Sequence, residues 1–271
     1  MNRLVGAFFA VFVGVFLIWE VAFAEDPEQK GLYIAQLADR ADVGWGNYKA
    51  KGEMLLRDAT GNESVRMLES LNFERNSEIE GDRLLIVFIS PLDIKGTISL
   101  THSKIEPEND NQWLYLPSVK RVKRISSSNR AGKFVSSEFA FEDLSSQEVA
   151  NYTYKWVKDE PCPGDKSLRC HVVDTFPRST RSGYSRRTVW VDNTEYRQWQ
   201  IQFFNRRGDL EKVLTATGFK RFENRYWRPS CIRMRNVQTN KSTDLLFSSY
   251  EFKEDLTEAD FNPERMSIFS N

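Results

Sequence analysis

Alternation of apolar and polar positions runs through most of the chain and predicts a fold dominated by β-strands. From residue 47 to 57, small or apolar side chains occupy every second position, and lysine or glutamate mostly stands between them. After the turn sequence DATGN, residues 65–73 alternate in the same way, which is typical of a hairpin with one buried face. The run RLLIVFIS, residues 83–90, is apolar almost throughout, as in a strand that is covered on both sides or faces a cavity.

Further strands are predicted wherever β-branched and aromatic residues lie between turn sequences. These are residues 96–103, 112–117, 151–158, 168–176, 184–192, 196–205, 210–222, 225–238 and 243–252. One helical pattern, from Glu28 to Asp42, precedes all the strands. Its apolar positions fall roughly on one face, formed by Leu32, Ala35, Leu37 and Ala38, with Ile34 on the flank. The sequence LTEADFNPERM predicts a short helical turn near the end of the chain.

These elements predict a single domain that is mainly β with a few helices. An antiparallel sheet of about ten strands must curl. The helix would then cover a curved sheet or unclosed β-barrel whose apolar interior is not necessarily filled by side chains. No linker, repeat or change of composition divides residues 25–271.

The first 24 residues have the pattern of a secretory signal peptide. Arg3 supplies a positive start, residues 4–19 are apolar, and Ala22 and Ala24 fit the small residues of a cleavage site. We therefore predict export with cleavage after Ala24. An uncleaved membrane anchor is the alternative interpretation, although the apolar run is short for a span of about 20 residues.

The charge balance limits the classes of partner, and the cysteine content indicates which disulfide can form. Lys and Arg number 38, as do Asp and Glu, so the balanced chain argues against nucleic acid as a partner. Export makes disulfides possible, and Cys162 and Cys170 flank a short PGDKSLR turn across which we expect them to pair. Cys231 is then left as a buried, unpaired thiol.

The residue types that carry catalysis or bind metals form no pattern in this sequence. The chain has two histidines, both in strand-like runs, and the three cysteines lack metal-binding spacing. Glu138, Glu142 and Asp143 are interpreted as a solvated edge or the first turn of a helix rather than as a catalytic pair. The sequence therefore predicts neither an enzyme nor a cofactor or metal site.

A run of cations at Lys120, Arg121, Lys123 and Arg124 supports two interpretations. Lys and Arg on a solvated strand edge discourage aggregation. The same cations could instead form a docking rim for anionic lipid headgroups or for an acidic partner surface. The sequence leaves both open.

This run lies inside a longer stretch, WLYLPSVKRVKRISSSNRAGKFVSSEFAFEDL, that closely resembles the signature of the bacterial outer-membrane lipoprotein-sorting-protein family, relatives of the periplasmic carrier LolA. The signature combines W-x-Y-x-P, K-R-V-x-R-I, a Ser/Asn/Gly loop and S-x-F-x-x-E-D-L. Its matching residues are Trp113, Tyr115, Pro117, Lys120, Arg121, Val122, Arg124, Ile125, Ser137, Phe139, Glu142, Asp143 and Leu144. The chain is longer than the LolA carrier, and that carrier's functional residues do not match it position by position.

The resemblance implies an unclosed β-barrel around a hydrophobic cavity and a periplasmic carrier or lipid-binding accessory protein. We expect the protein to be monomeric. Its expected partners are lipid or lipoprotein acyl chains and an inner-membrane permease of the RND/MMPL type. A structural adaptor or envelope-stress sensor with the same fold is the alternative. The residues expected to line the cavity are Leu32, Ala35, Leu37, Met54, Leu56, Leu85, Val87, Ile89, Trp113, Leu114, Tyr115 and Phe139, with Trp113 or Leu114 inward depending on the face of their strand.

Overall fold

The computed structural model of the chain describes residues 26–75, 77, 79–105 and 108–270. The predicted signal peptide and its cleavage point lie outside the described residues. Within those ranges one α-helix, α1 (Pro27–Ala41), begins at the capping residue Asp26, whose carboxylate accepts the N–H of Glu28 at 3.0 Å. No helix in the described residues has the length and hydropathy needed to span a membrane.

The described strands follow the helix, and most are long. They are β1 Asn47–Arg57, β2 Glu63–Phe73, β3 Glu80–Ser90, β4 Ile98–Lys104, β5 Asn111–Leu116, β6 Arg121–Ile125, β7 Tyr152–Cys162, β8 Asp165–Pro177, β9 Tyr184–Asp192, β10 Gln198–Asn205, β11 Leu210–Thr217, β12 Lys220–Phe222, β13 Tyr226–Arg228, β14 Cys231–Asn236 and β15 Lys241–Phe252. The predicted first hairpin is confirmed, because β1 and β2 pair from Asn47–Phe73 to Arg57–Glu63.

Thirteen of these strands form one antiparallel sheet in the order β6-β5-β4-β3-β2-β1-β15-β14-β11-β10-β9-β8-β7. Pairing of β1 with β15 places the first and last strands together in the middle of the sheet. The sheet is curved but not closed, and β6 and β7 are its two edges. The predicted fold class, a curved antiparallel sheet with an N-terminal helix, is confirmed.

Two predicted strands are wrong in their extent. The sequence predicted continuous strands over 210–222 and 225–238, but each divides into two, and β12 and β13 form a separate two-stranded sheet. Gly218 causes the first break: its φ is +65°, and a Cβ there would lie 2.0 Å from the Oγ of Ser230. This left-handed conformation, which favours glycine, ends β11 and redirects the chain.

The inner face of the sheet is the face that packs against α1, and the helix contacts it differently from the prediction. Ile34, expected on the flank, is the most buried apolar residue of the helix at 3% exposure, whereas Leu32 is 40% exposed. Gly31 lies against β7, where a Cβ would come within 2.7 Å of the backbone nitrogen of Trp156. The helix therefore approaches the sheet through Gly31 and Ile34, with Ala35 and Ala38 packing beside them.

The C-terminal end of the chain covers the outer face along β3 to β6. The predicted helical turn is present as two 3-10 helices, Glu258–Phe261 and Pro263–Ser270. Phe261 and Met266 from these turns are fully buried against Leu85 and Val87 of β3. The apolar run of β3 is thus explained by burial on both faces, since Ile86 and Phe88 point the other way into the inner core.

Candidate functional site

The centre of the inner face is an apolar surface to which strands from both halves of the sheet contribute. Its buried side chains come from β1, β2, β3, β10 and β14: Met54, Leu68, Ile86, Phe88, Phe203 and Met234. Leu56, Leu84, Ile201 and Leu245 extend the surface at its margins. The curvature of the sheet therefore brings residues far apart in sequence to one apolar site.

Residues 126–151, called here the edge-linking segment, join edge strand β6 to edge strand β7 and fill this site. Phe134, Phe139 and Phe141 of the segment are at most 5% exposed and belong to the inner core. The ring of Phe134 lies 6.0 Å from that of Phe88 and 5.7 Å from that of Phe141. The hydrophobic centre of the sheet is thus occupied by the chain's own phenylalanines.

A tight turn within the edge-linking segment carries Phe134 and Phe139 at its two ends. The N–H of Phe134 donates to the carbonyl oxygen of Phe139 at 2.8 Å, and Ser137 donates back to Phe134 at 2.8 Å. Between them Val135 and Ser136 have φ values of +40° and +66°. A positive φ is unfavourable for a β-branched residue such as Val135, so the turn holds local backbone strain.

Two acidic residues of the signature bind the edge-linking segment to β11 and to the start of β9. Asp143 lies 3.2 Å from the ammonium of Lys212 on β11 and accepts the hydroxyl of Tyr184 at 2.9 Å. Glu142 accepts the hydroxyl of Ser182 and the N–H of Gly183, each at 2.8 Å. The prediction of a solvated edge for these residues is wrong: they do lie in a 3-10 turn, but they are buried and paired.

A row of side chains crosses the inner face beneath the edge-linking segment. Arg187 on β9 and Lys212 on β11 both pair in register with Phe203 on β10. Both cations also lie over the ring of Tyr184, at 5.3 Å and 5.0 Å from its centroid. Burial, with Asp143 and Glu142 nearby, raises the pKa of Tyr184 well above its usual value, so the hydroxyl stays protonated and donates to Asp143.

Toward edge strand β6 the inner face becomes polar. Ser99, Thr101 and Gln112 are buried there, and the amide nitrogen of Gln112 donates to the carbonyl oxygen of Phe141 at 2.7 Å. This contact holds the opposite end of the edge-linking segment to the first half of the sheet. The segment is therefore attached by polar contacts on both sides of its apolar centre.

The described residues also form a cleft of about 430 Å³ beside the edge-linking segment, and this cleft is open to solvent. Its lining is mostly polar and includes Glu142, Tyr184, Arg206, Arg207 and Lys212. A smaller cavity of about 20 Å³, lined by Asp110, Arg130 and neighbouring polar groups, has the volume of a single water. Both differ from the large apolar interior that the sequence suggested.

The structure does not bring the expected cavity residues to one site. Met54, Leu56 and Phe139 lie in the inner core, and Leu114 lies on the same side as Gln112, half-buried. The outer face instead holds Leu85, Val87, Trp113 and Tyr115, which pack beneath the C-terminal turns.

The remaining expected cavity residues lie outside both clusters or at the helix. Ile89 is 46% exposed and Leu32 is 40% exposed, Leu37 is half-buried, and Ala35 packs in the seam between α1 and the sheet. The prediction of one shared lining is therefore wrong. Successive strand residues point to opposite faces, and the unbroken apolar run of β3 gave no indication of which face is inward.

The basic run lies on edge strand β6, with Arg121, Lys123 and Arg124 within the strand and Lys120 just before it. All four are exposed, and in the described part of the chain Arg124 alone of them has a side-chain hydrogen bond, to Asn111. This position is compatible with edge protection and with docking alike.

The two expected partner cysteines form a disulfide that links β7 to β8. The Cα atoms of Cys162 and Cys170 are 4.9 Å apart, and Cys231 remains a free, half-buried thiol. The bridge lies on the outer face beside Trp190 and Trp199, away from the site.

Sequence reasoning missed the residues that carry the site's charge and part of its apolar filling. Arg187 and Lys212 fall in predicted strands without any predicted role, and Phe134 and Phe141 were not assigned to the interior. The one local signal was the FAFEDL sequence, in which two phenylalanines directly precede the acidic pair of the signature.

Solved structures share this fold. An outer-membrane lipoprotein-sorting protein domain from Vibrio parahaemolyticus is 41% identical, with a TM-score of 0.84 and a match that covers 89% of this chain and 99% of that one. A DUF1329 family protein from Desulfovibrio piger, 22% identical, has a TM-score of 0.83 and covers 89% and 100% of the two chains. A LolA superfamily protein from Nitrosomonas europaea, 17% identical, has a TM-score of 0.65 over 88% and 98%.

The unclosed sheet with a helix on its inner face is therefore the LolA-like fold. By its similarity to the Vibrio domain, the chain belongs to the outer-membrane lipoprotein-sorting-protein family. A family model described as an uncharacterized protein matches residues 80–267. No curated protein matches the sequence significantly.

Proposed function

We propose that this protein is a periplasmic carrier or accessory protein that binds an acyl chain of a lipid or lipoprotein on its inner face. One observation carries the proposal: the apolar centre of the sheet is filled by Phe134, Phe139 and Phe141 of the edge-linking segment rather than by sheet residues alone. The segment has little regular structure and a strained turn at Val135. An acyl chain could take the place of these three rings without unfolding the sheet.

Simple energetics make such an exchange reasonable. Each methylene that leaves water contributes about 0.8 kcal/mol, so a dozen methylenes contribute about 10 kcal/mol. Association and exposure of the displaced segment offset much of this gain. Micromolar affinity, about 8 kcal/mol, is then the upper range to expect for a single chain.

The N-terminal pattern and the family support a cellular setting for this activity. Residues 1–24 would direct export and be removed after Ala24, and the mature chain would act as a monomer beside an inner-membrane permease of the RND/MMPL type. The described residues offer binding groups and no catalytic constellation, so the protein would bind its ligand without transforming it.

A second candidate function, a non-carrier adaptor or envelope-stress sensor, is favoured by one specific observation. The inner core is well packed, with Phe134 fully buried and the neighbouring cleft lined by polar groups. A solid core of this kind would suit a protein that presents its surface to a partner.

Binding measurements separate the two functions. Delipidated protein is titrated with a fluorescent long-chain fatty acid, and protein purified from its native host is analysed for bound lipid by mass spectrometry. The carrier requires saturable binding near micromolar concentration and co-purified lipid. If neither saturable binding nor co-purified lipid is found, the adaptor or sensor function is the one that remains.

A further inference from the structure

The geometry points to Arg187 and Lys212 as the anchor for an anionic headgroup, which makes the ligand an anionic amphiphile. This inference rests on the proposed function, because it names the chemistry of the ligand that would enter the same site. Nothing in the family resemblance assigns a role to either residue.

The two cations belong to the rigid part of the site. Each pairs in register with Phe203, so their strands are two spacings apart, about 10 Å across the sheet. The guanidinium carbon of Arg187 lies 5.5 Å from the ring of Phe203, and the ammonium of Lys212 lies 5.7 Å from it. The ring of Phe203 thus lies between two positive charges on the inner face of the sheet.

Arg187 lacks a full set of partners in this structure. Its side chain is 4% exposed, and its Nε is buried without a hydrogen-bond acceptor. No carboxylate of the described residues lies within 4.0 Å of the guanidinium, which donates to the amide oxygen of Gln147. Asp143 and Glu142 act on the guanidinium only from beyond 4.0 Å, so Arg187 has lost its hydration without gaining a direct ion pair.

The groups that pair with these cations are carried by the edge-linking segment. Asp143 pairs with Lys212, the carbonyl of Glu138 accepts a second hydrogen bond from Lys212 at 3.2 Å, and Gln147 contacts Arg187. The phenylalanines that fill the apolar site lie on the same segment. A ligand that displaced it would therefore remove the apolar filling and the compensating carboxylate together.

A neutral acyl chain would leave two buried cations uncompensated after this exchange. A chain that ends in a carboxylate or phosphate would replace Asp143 at Lys212 and also supply the ion pair that Arg187 lacks. In this arrangement Asp143 acts as an internal competitor for the ligand's anionic group.

The test compares hexadecanoate with its methyl ester as competitors of a bound fluorescent fatty acid on the full mature chain. Wild-type protein should prefer hexadecanoate. The change Arg187→Met should reduce that preference about tenfold, equivalent to about 1.4 kcal/mol, and leave the methyl ester unaffected. Folding should survive, because methionine keeps an apolar side chain over the neighbouring rings and no carboxylate loses a direct ion pair.

Two further variants test whether the effect is specific to the site. Arg186→Met is the matched control, since Arg186 is the adjacent residue and pairs with Asp174 at 2.8 Å instead of facing the site; it should leave the preference unchanged. Asp143→Asn removes the internal competitor and weakens the hold on the segment, so it should tighten binding of both ligands, and that of hexadecanoate more than that of the ester.

Each outcome decides something different. Equal affinity of wild-type protein for both ligands would overturn the anionic headgroup and keep the proposed acyl binding. Absence of binding for either ligand would overturn the proposed function itself. Displacement of the probe by inorganic phosphate alone would show a site for a free anion and overturn the amphiphile.

Discussion

The carboxylate of Asp143 lies 3.2 Å from the ammonium of Lys212, and both side chains are almost fully buried. Sixty-nine positions separate the two residues in sequence. Their contact joins the edge-linking segment to β11 and so helps to hold Phe139 and Phe141 against the apolar centre of the sheet. The placement of the segment therefore depends on a charge pair as well as on hydrophobic burial.

The strength of this pair is measurable by a double-mutant cycle. Either Asp143→Ala or Lys212→Ala should destabilise the protein by about 3–5 kcal/mol, because each leaves an unpaired buried charge. The double variant should be less destabilised than the sum, with a coupling energy of about 1–3 kcal/mol from urea unfolding. Additive single effects would show that the pair does not hold the segment.

Local sequence patterns were sufficient for much of the fold. Alternation along β1 and β2 and the short turn between Cys162 and Cys170 depend on neighbouring residues, so the hairpin and the disulfide could be anticipated. The sheet's curvature followed from strand number, and the signature supplied the family.

The site could not be read in the same way, because its contacts join distant segments. Nothing near Lys212 in sequence indicates that its partner is Asp143, and the unbroken apolar run containing Leu85 and Val87 does not reveal an inward face. Interpretation of Leu85 as a cavity residue was wrong because the C-terminal turns, with Phe261, cover that face.

Stability should depend on pH through Asp82. Burial, with the nearby carboxylates of Glu148 and Glu74, raises the pKa of Asp82 to about 7. The unfolded side chain loses its proton near pH 4, so the folded state binds more protons between about pH 4 and 7. Asp82 therefore lowers stability progressively as pH rises through that window.

We expect Asp82→Asn to melt at a higher temperature than wild type at about pH 8, with the difference shrinking as pH falls toward about 4. Glu80→Gln is a control of opposite sign, since hydrogen bonding to Lys104 lowers the pKa of Glu80 to about 2. It should melt below wild type at neutral pH and approach wild type near pH 2. A pH-independent gain for Asp82→Asn would contradict this account.

The basic run on β6 should contribute to docking more than to folding. Exposed cations near an anionic membrane surface contribute about 1 kcal/mol each and are screened by salt. Changing Lys120, Arg121, Lys123 and Arg124 to glutamate should leave the melting temperature nearly unchanged and weaken binding to anionic vesicles at low salt. Neutral vesicles serve as the lipid control.

A matched protein control reverses an equal number of exposed lysines elsewhere: Lys155, Lys166, Lys220 and Lys241. If both sets weaken vesicle binding equally, net charge explains the effect and the β6 run serves edge protection. Selective loss with the β6 set would assign docking to this edge.

The disulfide prediction has a direct chemical test. Denatured, unreduced protein should show one free thiol, that of Cys231, and reduction should expose two more. Closing this short loop should stabilise the fold by about 2–3 kcal/mol relative to a Cys162→Ser/Cys170→Ser variant. Three free thiols in the exported protein would refute the bridge.

The central claim, that an acyl chain takes the place of the edge-linking segment, is tested most directly by hydrogen exchange with and without bound fatty acid. In this structure the N–H of Phe134 donates to Phe139, and that of Phe141 donates to Gly132 at 3.1 Å, so both amides should be protected in delipidated protein. Loading with a long-chain fatty acid should accelerate exchange across residues 134–144 while β1–β3 stay protected. Saturable binding that leaves residues 134–144 as protected as before would contradict the account.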